Sequence, residues 1–216
     1  MKLDPGKIAR ASLGLLNETG LDGLTMRVVA RELDVKAPAL YWHLRNKQEL
    51  LDAMAELIFT DTAEGLVPPA EGVEWDEWLA DLVRRLRAAL LGYRDGARVF
   101  AGTHMSHPAM YQTIELTLTT LRDAGFSPER AAHGVSTLLH YTVGFTIEEQ
   151  ARTGVDYEEN PYRPDRVAGA VDPQRFPLSA SVVGELFSPD PDDSFERGLR
   201  LILSGMRASS LHAAQR

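Results

Sequence analysis

Three groups of residues in this 216-residue chain are of types that do chemistry. The first lies between Lys36 and Lys47, where Tyr41, Trp42, His43, Arg45 and Lys47 crowd into one short segment. Basic side chains neutralise phosphates, and aromatic and hydroxyl groups set a register on a duplex, so this segment points to nucleic acid. The second is His104-Met105-Ser106-His107, which together with Glu148 offers the imidazole and carboxylate donors of a metal site. Its spacing is not diagnostic of a metal, and loop histidines, one of them hydrogen-bonding a ligand, are the preferred reading. The third is His140 with Glu148, eight residues apart on roughly one face of a helix, a pair of the kind that performs acid–base chemistry. No nucleophile motif, phosphate loop or cofactor signature accompanies it, so the chain is expected not to be an enzyme and to carry no cofactor. With no cysteine, disulfide frameworks, zinc fingers, iron–sulfur clusters and thiol catalysis are excluded.

The elements that must position these residues all read as helices. Asp4 caps a first helix with Pro5 in its first turn and Ile8, Ala11, Leu15 and Leu16 on one face, ending near Gly20. Thr25 caps a second that carries Val29, Ala30 and Leu33 inward, and Asp34-Val35 breaks it. A third begins near Lys36 and buries Leu40 and Leu44, leaving Tyr41, Trp42 and His43 to its other sides. Asn46 and Glu49 resemble a capping box opening a fourth, with Leu50, Leu51, Met54, Leu57 and Ile58 as its apolar stripe. Two short helices joined by a tight break, the second presenting its aromatic side outward, form a helix-turn-helix.

A turn-rich linker, Val67 to Gly72, precedes a helix from Trp75 to Tyr93, an amphipathic segment around Ile114, Leu118 and Leu121, and a long helix from Pro128 to Gln150. From Arg152 to Pro177 the pattern dissolves into Gly, Pro, Asp and Arg, a composition that predicts a flexible loop at 151–177. A last helix opens near Asp192 or Asp193 with Phe195, Leu199, Ile202, Leu203 and Met206 on one face. No strand period or internal repeat is present, so the fold class is all-α.

Charge divides the chain. Residues 1–48 hold eight basic and five acidic side chains, while the remainder holds fifteen against twenty-six. That is a small anion-facing module, residues 1–46, on an acidic body, 47–216, with 47–62 as the connecting helix. Neither a secretory signal nor a 20-residue apolar span is present; the longest uncharged run, Ala131 to Ile147, is 17 residues. A cytoplasmic protein without membrane contact is expected. The uncharged helix and the last one carry more apolar surface than one small body buries, so both are expected to pair with their copies, with Leu203 at the contact.

Leu15-Leu16-Asn17-Glu18, Gly23-Leu24-Thr25-Met26-Arg27, Leu40 to Lys47 and Leu50-Leu51-Asp52-Ala53 closely resemble the TetR family of transcriptional repressors. Tyr93 to Ala97, Gly102-Thr103, Gly125-Phe126-Ser127 and Glu148-Glu149-Gln150 resemble the ligand-binding body of its tetracycline-responsive members. The resemblance implies a homodimeric repressor that grips palindromic operator DNA and is released by a small-molecule inducer. It places DNA contacts at Met26, Arg27, Ala37, Pro38, Ala39, Tyr41, Trp42, His43 and Lys47. Ala37 and Ala39 stand where the tetracycline-responsive members have polar residues, so a different operator is expected, since alanine meets a thymine methyl but cannot hydrogen-bond a base edge. Asp34 replaces a frequent glycine, which implies a left-handed backbone there. In the body, Phe100 stands where those members have a histidine that coordinates drug-borne magnesium. Leu82, Thr117 and Ala63 replace other polar drug contacts, while Thr103, His140 and Glu148 remain. With Leu86 and His104 these residues describe a largely apolar pocket with few polar groups and no metal. The alternatives are a DNA-binding dimer without an inducer and an all-helical enzyme.

Overall fold

The computed structural model describes residues 3–153, 163–187 and 190–211, which are helical apart from turns and connections. The head comprises α1 (Pro5–Gly23), α2 (Met26–Glu32) and α3 (Ala37–Tyr41), and α4 (Lys47–Ala63) joins it to the body. The body comprises α5 (Trp75–Leu91), α6 (Gly96–Phe100), α7 (Pro108–Asp123), α8 (Pro128–Thr153), α9 (Pro164–Ala170), α10 (Pro177–Leu186) and α11 (Pro191–Leu211).

The helix starts follow from their caps. The Asp4 carboxylate accepts from the Lys7 N–H at 2.9 Å, the Thr25 hydroxyl oxygen from Val28 N–H at 3.3 Å and the Asn46 side chain from Glu49 N–H at 2.9 Å. Gly20 interrupts α1 at φ 65°, where a side chain would press on Asp95 and Arg94, and the helix resumes for one turn to Gly23.

Two apolar cores stabilise the chain. One unites Ile8, Leu13, Leu16, Leu24, Val29, Leu40, Leu50, Met54 and Ile58 and continues without interruption into Leu86, Leu90, Val99 and Phe100 of the body. The packing is therefore continuous across residue 46. The other core joins α5, α7, α8 and α11. Phe195, fully buried, stacks on Tyr141 at 5.3 Å, and the Tyr141 hydroxyl donates to the Phe195 carbonyl at 2.9 Å. Trp75 meets Phe126 edge-on at 4.9 Å. Gly134 lets Met206 of α11 lie against α8, where a Cβ would collide with the thioether.

Three helices depart from the sequence expectation. α6 follows directly on the Arg94-Asp95-Gly96 stop, α9 lies inside the segment expected to be a loop, and α10 was not anticipated. Pro164 and Pro177 each occupy a first helical turn, where a missing N–H costs nothing, so they start α9 and α10. Residues 154–162 of the expected loop lie outside the described residues. Among the described residues no helix is long and apolar enough to cross a membrane.

Candidate DNA-reading face and ligand site

The turn before the reading helix is made by Asp34 at φ 52°, with Val35 N–H donating back to Ala30 O at 2.9 Å. This is a left-handed helix stop, and aspartate fills it where glycine is the usual choice. α3 is then pinned by Leu40, which is fully buried, with Leu44 nearly so. Burying such side chains contributes roughly 1.5–3 kcal/mol each. The same burial turns Pro38, Tyr41, Trp42 and His43 outward, with Trp42 88% exposed. Ala37 and Ala39 are half-buried on its flanks, and Arg27 is exposed at the start of α2.

Two expected contacts sit differently. Met26 is buried, because it shares the inward face of α2 with Val29 and Ala30, so its side chain supports the head core and Arg27 is the outward group. Lys47 is half-buried and its ammonium donates to the Leu21 carbonyl at 3.1 Å, which ties α4 to the end of α1. The Asn46–Glu49 cap has one difference in detail: the Glu49 carboxylate accepts from the Arg45 N–H at 2.7 Å, one residue before the position a capping box uses. Arg45, through that backbone bond and its guanidinium, holds the Glu49 carboxyl below its ordinary 4.5. A depressed carboxyl stabilises the fold above its unfolded value, so this clamp is complete above about pH 4.5 and is lost as pH falls through the lower folded value.

In the body, Leu86 and Phe100 lie in one apolar cluster with Met105, Val143 and Ile147 against it, while Leu82 is half-buried in the neighbouring cluster. Thr117 is buried with its hydroxyl donating to Thr113 O at 2.7 Å, and Thr103 is half-buried, donating to Phe100 O at 2.7 Å. Both hydroxyls keep acceptor capacity for a ligand. His104, His140 and Glu148 are exposed on the single chain. No metal-ligating cluster of three side chains occurs among the described residues.

Three groups of hydrogen bonds tie the body to the connecting helix, to the head and to itself. Asp52 and Glu56 of α4 accept from the His104 N–H at 3.2 Å and the Ser106 N–H at 2.8 Å, so the segment following Phe100 is bonded to the connecting helix. Asp95, at φ 58°, accepts from the Leu21 N–H at 2.9 Å and pairs with Arg98 at 3.0 Å, joining the body to the head. Gln150 closes the α5–α6 corner, accepting from Ala97 N–H and donating to Leu90 O and Tyr93 O.

A helix-turn-helix with an outward, uncharged reading helix, mounted on a helical body whose segment after α6 is hydrogen-bonded to the connecting helix, is the architecture of a DNA-binding regulator. Residues 8–54 match the family described as bacterial regulatory proteins, tetR family, and residues 68–210 match the tetracyclin repressor-like C-terminal domain. The chain belongs to the TetR family: it is a ligand-responsive, DNA-binding transcriptional repressor, of a family whose members form dimers. It is 41% identical over 206 residues, 95% of this chain and 91% of the relative, to the tetracycline repressor protein class A from transposon 1721 of Escherichia coli. Its fold matches a possible TetR family transcriptional regulator from Streptomyces coelicolor A3(2) with TM-score 0.84 at 41% identity, covering 95% and 100% of the two chains. It also matches ActR of Streptomyces coelicolor in complex with actinorhodin, with TM-score 0.83 at 30% identity over 96% of each chain.

Proposed function

We propose that the inducer of this repressor is a largely apolar, ring-containing molecule bound without an obligatory metal. The observation that carries this reading is Phe100, buried at the end of α6 beside Leu86 and Leu90. A phenyl ring offers no lone pair to a metal, and with Leu86 it makes the walls apolar, leaving Thr103, Thr117 and His104 to orient the ligand, the make-up of a small-molecule pocket. His140 and Glu148, on the exposed side of α8, are assigned to its rim. ActR, seen with actinorhodin, supports a body of this shape accepting something other than tetracycline.

The mechanism follows from connectivity. A ligand against Phe100 displaces the segment that follows it, and the bonds from His104 and Ser106 to Asp52 and Glu56 pass that movement to α4 and so to the reading helices. The ligand shifts the equilibrium by its difference in affinity between the DNA-competent and released states. Selection of bound sequences from random duplex DNA, then a compound screen for release in the presence of chelator, tests both halves. Apolar aromatic compounds should release the operator with chelator present, and Phe100→Asp should weaken inducer binding more than DNA binding by burying an unpaired charge. Strong release by tetracycline that depends on magnesium would overturn the reading.

A further inference from the structure

Side chains that tell base pairs apart by paired hydrogen bonds are Arg, Lys, Asn, Gln, Asp and Glu, and none stands between Ala37 and Trp42. Because Leu40 is fully buried, the ridge opposite it on a helix of 3.6 residues per turn is Pro38 with Trp42 one turn on, and both are exposed. Ala39 borders that ridge, half-buried. Pro38 has no backbone N–H either, so the first turn of α3 presents hydrocarbon to whatever it meets. The cations stand outside this turn, Arg27 on α2, Lys36 before it and Arg45, paired with Glu49, after it.

We infer that the reading helix identifies its half-site through the C5-methyl groups of pyrimidines, packed against Pro38 and Ala39, with hydrogen bonds to base edges playing no part at those positions. This rests on the operator-binding reading above. The thymine methyl is the apolar feature of the major groove, and small apolar side chains on an outward ridge gain by excluding water from it. Removing one such methyl costs about threefold to fourfold in affinity, from the transfer of a single methyl-sized group, and a symmetric pair in a palindrome costs about tenfold. 5-Methylcytosine carries the same methyl at the same edge, so the ridge accepts it as well.

The test uses the full-length protein and its selected operator at fixed salt. Thymine is replaced by uracil, one symmetric pair at a time, and at responsive positions by cytosine or 5-methylcytosine paired with guanine. One or two positions per half-site should lose about tenfold with uracil, and 5-methylcytosine should bind more tightly than cytosine there. Uracil within twofold of thymine at every position overturns the inference. Methylation also alters duplex shape, so Ala39→Ser and Pro38→Ser, checked for folding by circular dichroism, separate the two causes. Each should abolish the thymine preference at its own position. A preference unchanged in both variants assigns it to DNA shape and overturns the inference. Failure to select any duplex at low salt is a different result, since it overturns operator binding itself.

Discussion

Arg87 shows how a single charged side chain in the body holds three helices. Its guanidinium is almost enclosed, bonded twice to Glu149 of α8 at 2.8 and 3.0 Å and once to Asp192 of α11 at 2.7 Å. It also lies 4.8 Å from the centroid of the Phe195 ring. Glu149 is only 9% exposed, so the pair is buried, whereas Asp192 at 82% is not. A buried pair adds little against an apolar replacement of both partners, but removing one partner strands the other. Arg87→Ala should therefore destabilise the body by about 3–5 kcal/mol in urea titrations, with Glu149→Ala in addition costing less than the sum of the two single changes. Additive costs would show that the two charges do not depend on one another.

Among the elements, α4 is the part both ends of the molecule act on. Lys47 fixes its start to Leu21, Asp61 near its end accepts two bonds from Arg10 at 2.6 and 3.0 Å, and Asp52 and Glu56 between them hold the segment after Phe100. Glu56→Ala should leave inducer and operator affinities nearly unchanged when each is measured alone. It should raise the inducer concentration needed for release by about fivefold, at the lower end of ordinary coupling energies. Unchanged release in a fluorescence-anisotropy titration would place the transmission elsewhere. The start of α4 was legible from Asn46 and Glu49, as were the α2–α3 break from Asp34 and the inward face of α3 from Leu40 and Leu44. Each is a cap, a turn or an apolar period, which a local stretch of sequence encodes. α6 was not legible, because its five residues are too few to show a period. In α10 only Val183 is buried, so no polar and apolar faces contrast. The bonds from Asp52 and Glu56 end on backbone N–H groups, which every residue but proline supplies, and so no residue type marks the partner. Met26 is a related case: its resemblance to a DNA contact says nothing of which face of α2 looks inward, and its side chain is buried.

For the whole molecule, two helices of the acidic body leave apolar and uncharged side chains outward. Along α8, His133, Ser136, Thr137, Leu139, His140 and Gly144 are exposed with no charged residue from Ala131 to Ile147. On α11, which packs against α8, Leu201 is 75% exposed beside an open groove of about 420 Å³ formed with Glu196, Arg197, Arg200 and Ser204. Leu203, expected from sequence at the contact between subunits, is instead 5% exposed in a core with Phe195, Leu199 and Met206. The apolar period identified the helix, but two residues along a helix differ by about 200°, enough to exchange inside for outside. Leu203→Glu should thus unfold the body by burying a charge, while Leu201→Glu should leave helix content intact and yield monomers in sedimentation velocity. A Leu201→Glu chain that still sediments as a dimer would put the interface on another face. The change should also reach the DNA: a lone head holds one half-site and about half of the phosphates, so operator affinity falls steeply and the slope of log affinity against log salt drops to about half. A Leu201→Glu monomer that kept the full slope would mean that one head carries all the phosphate contacts, which a two-fold operator does not allow.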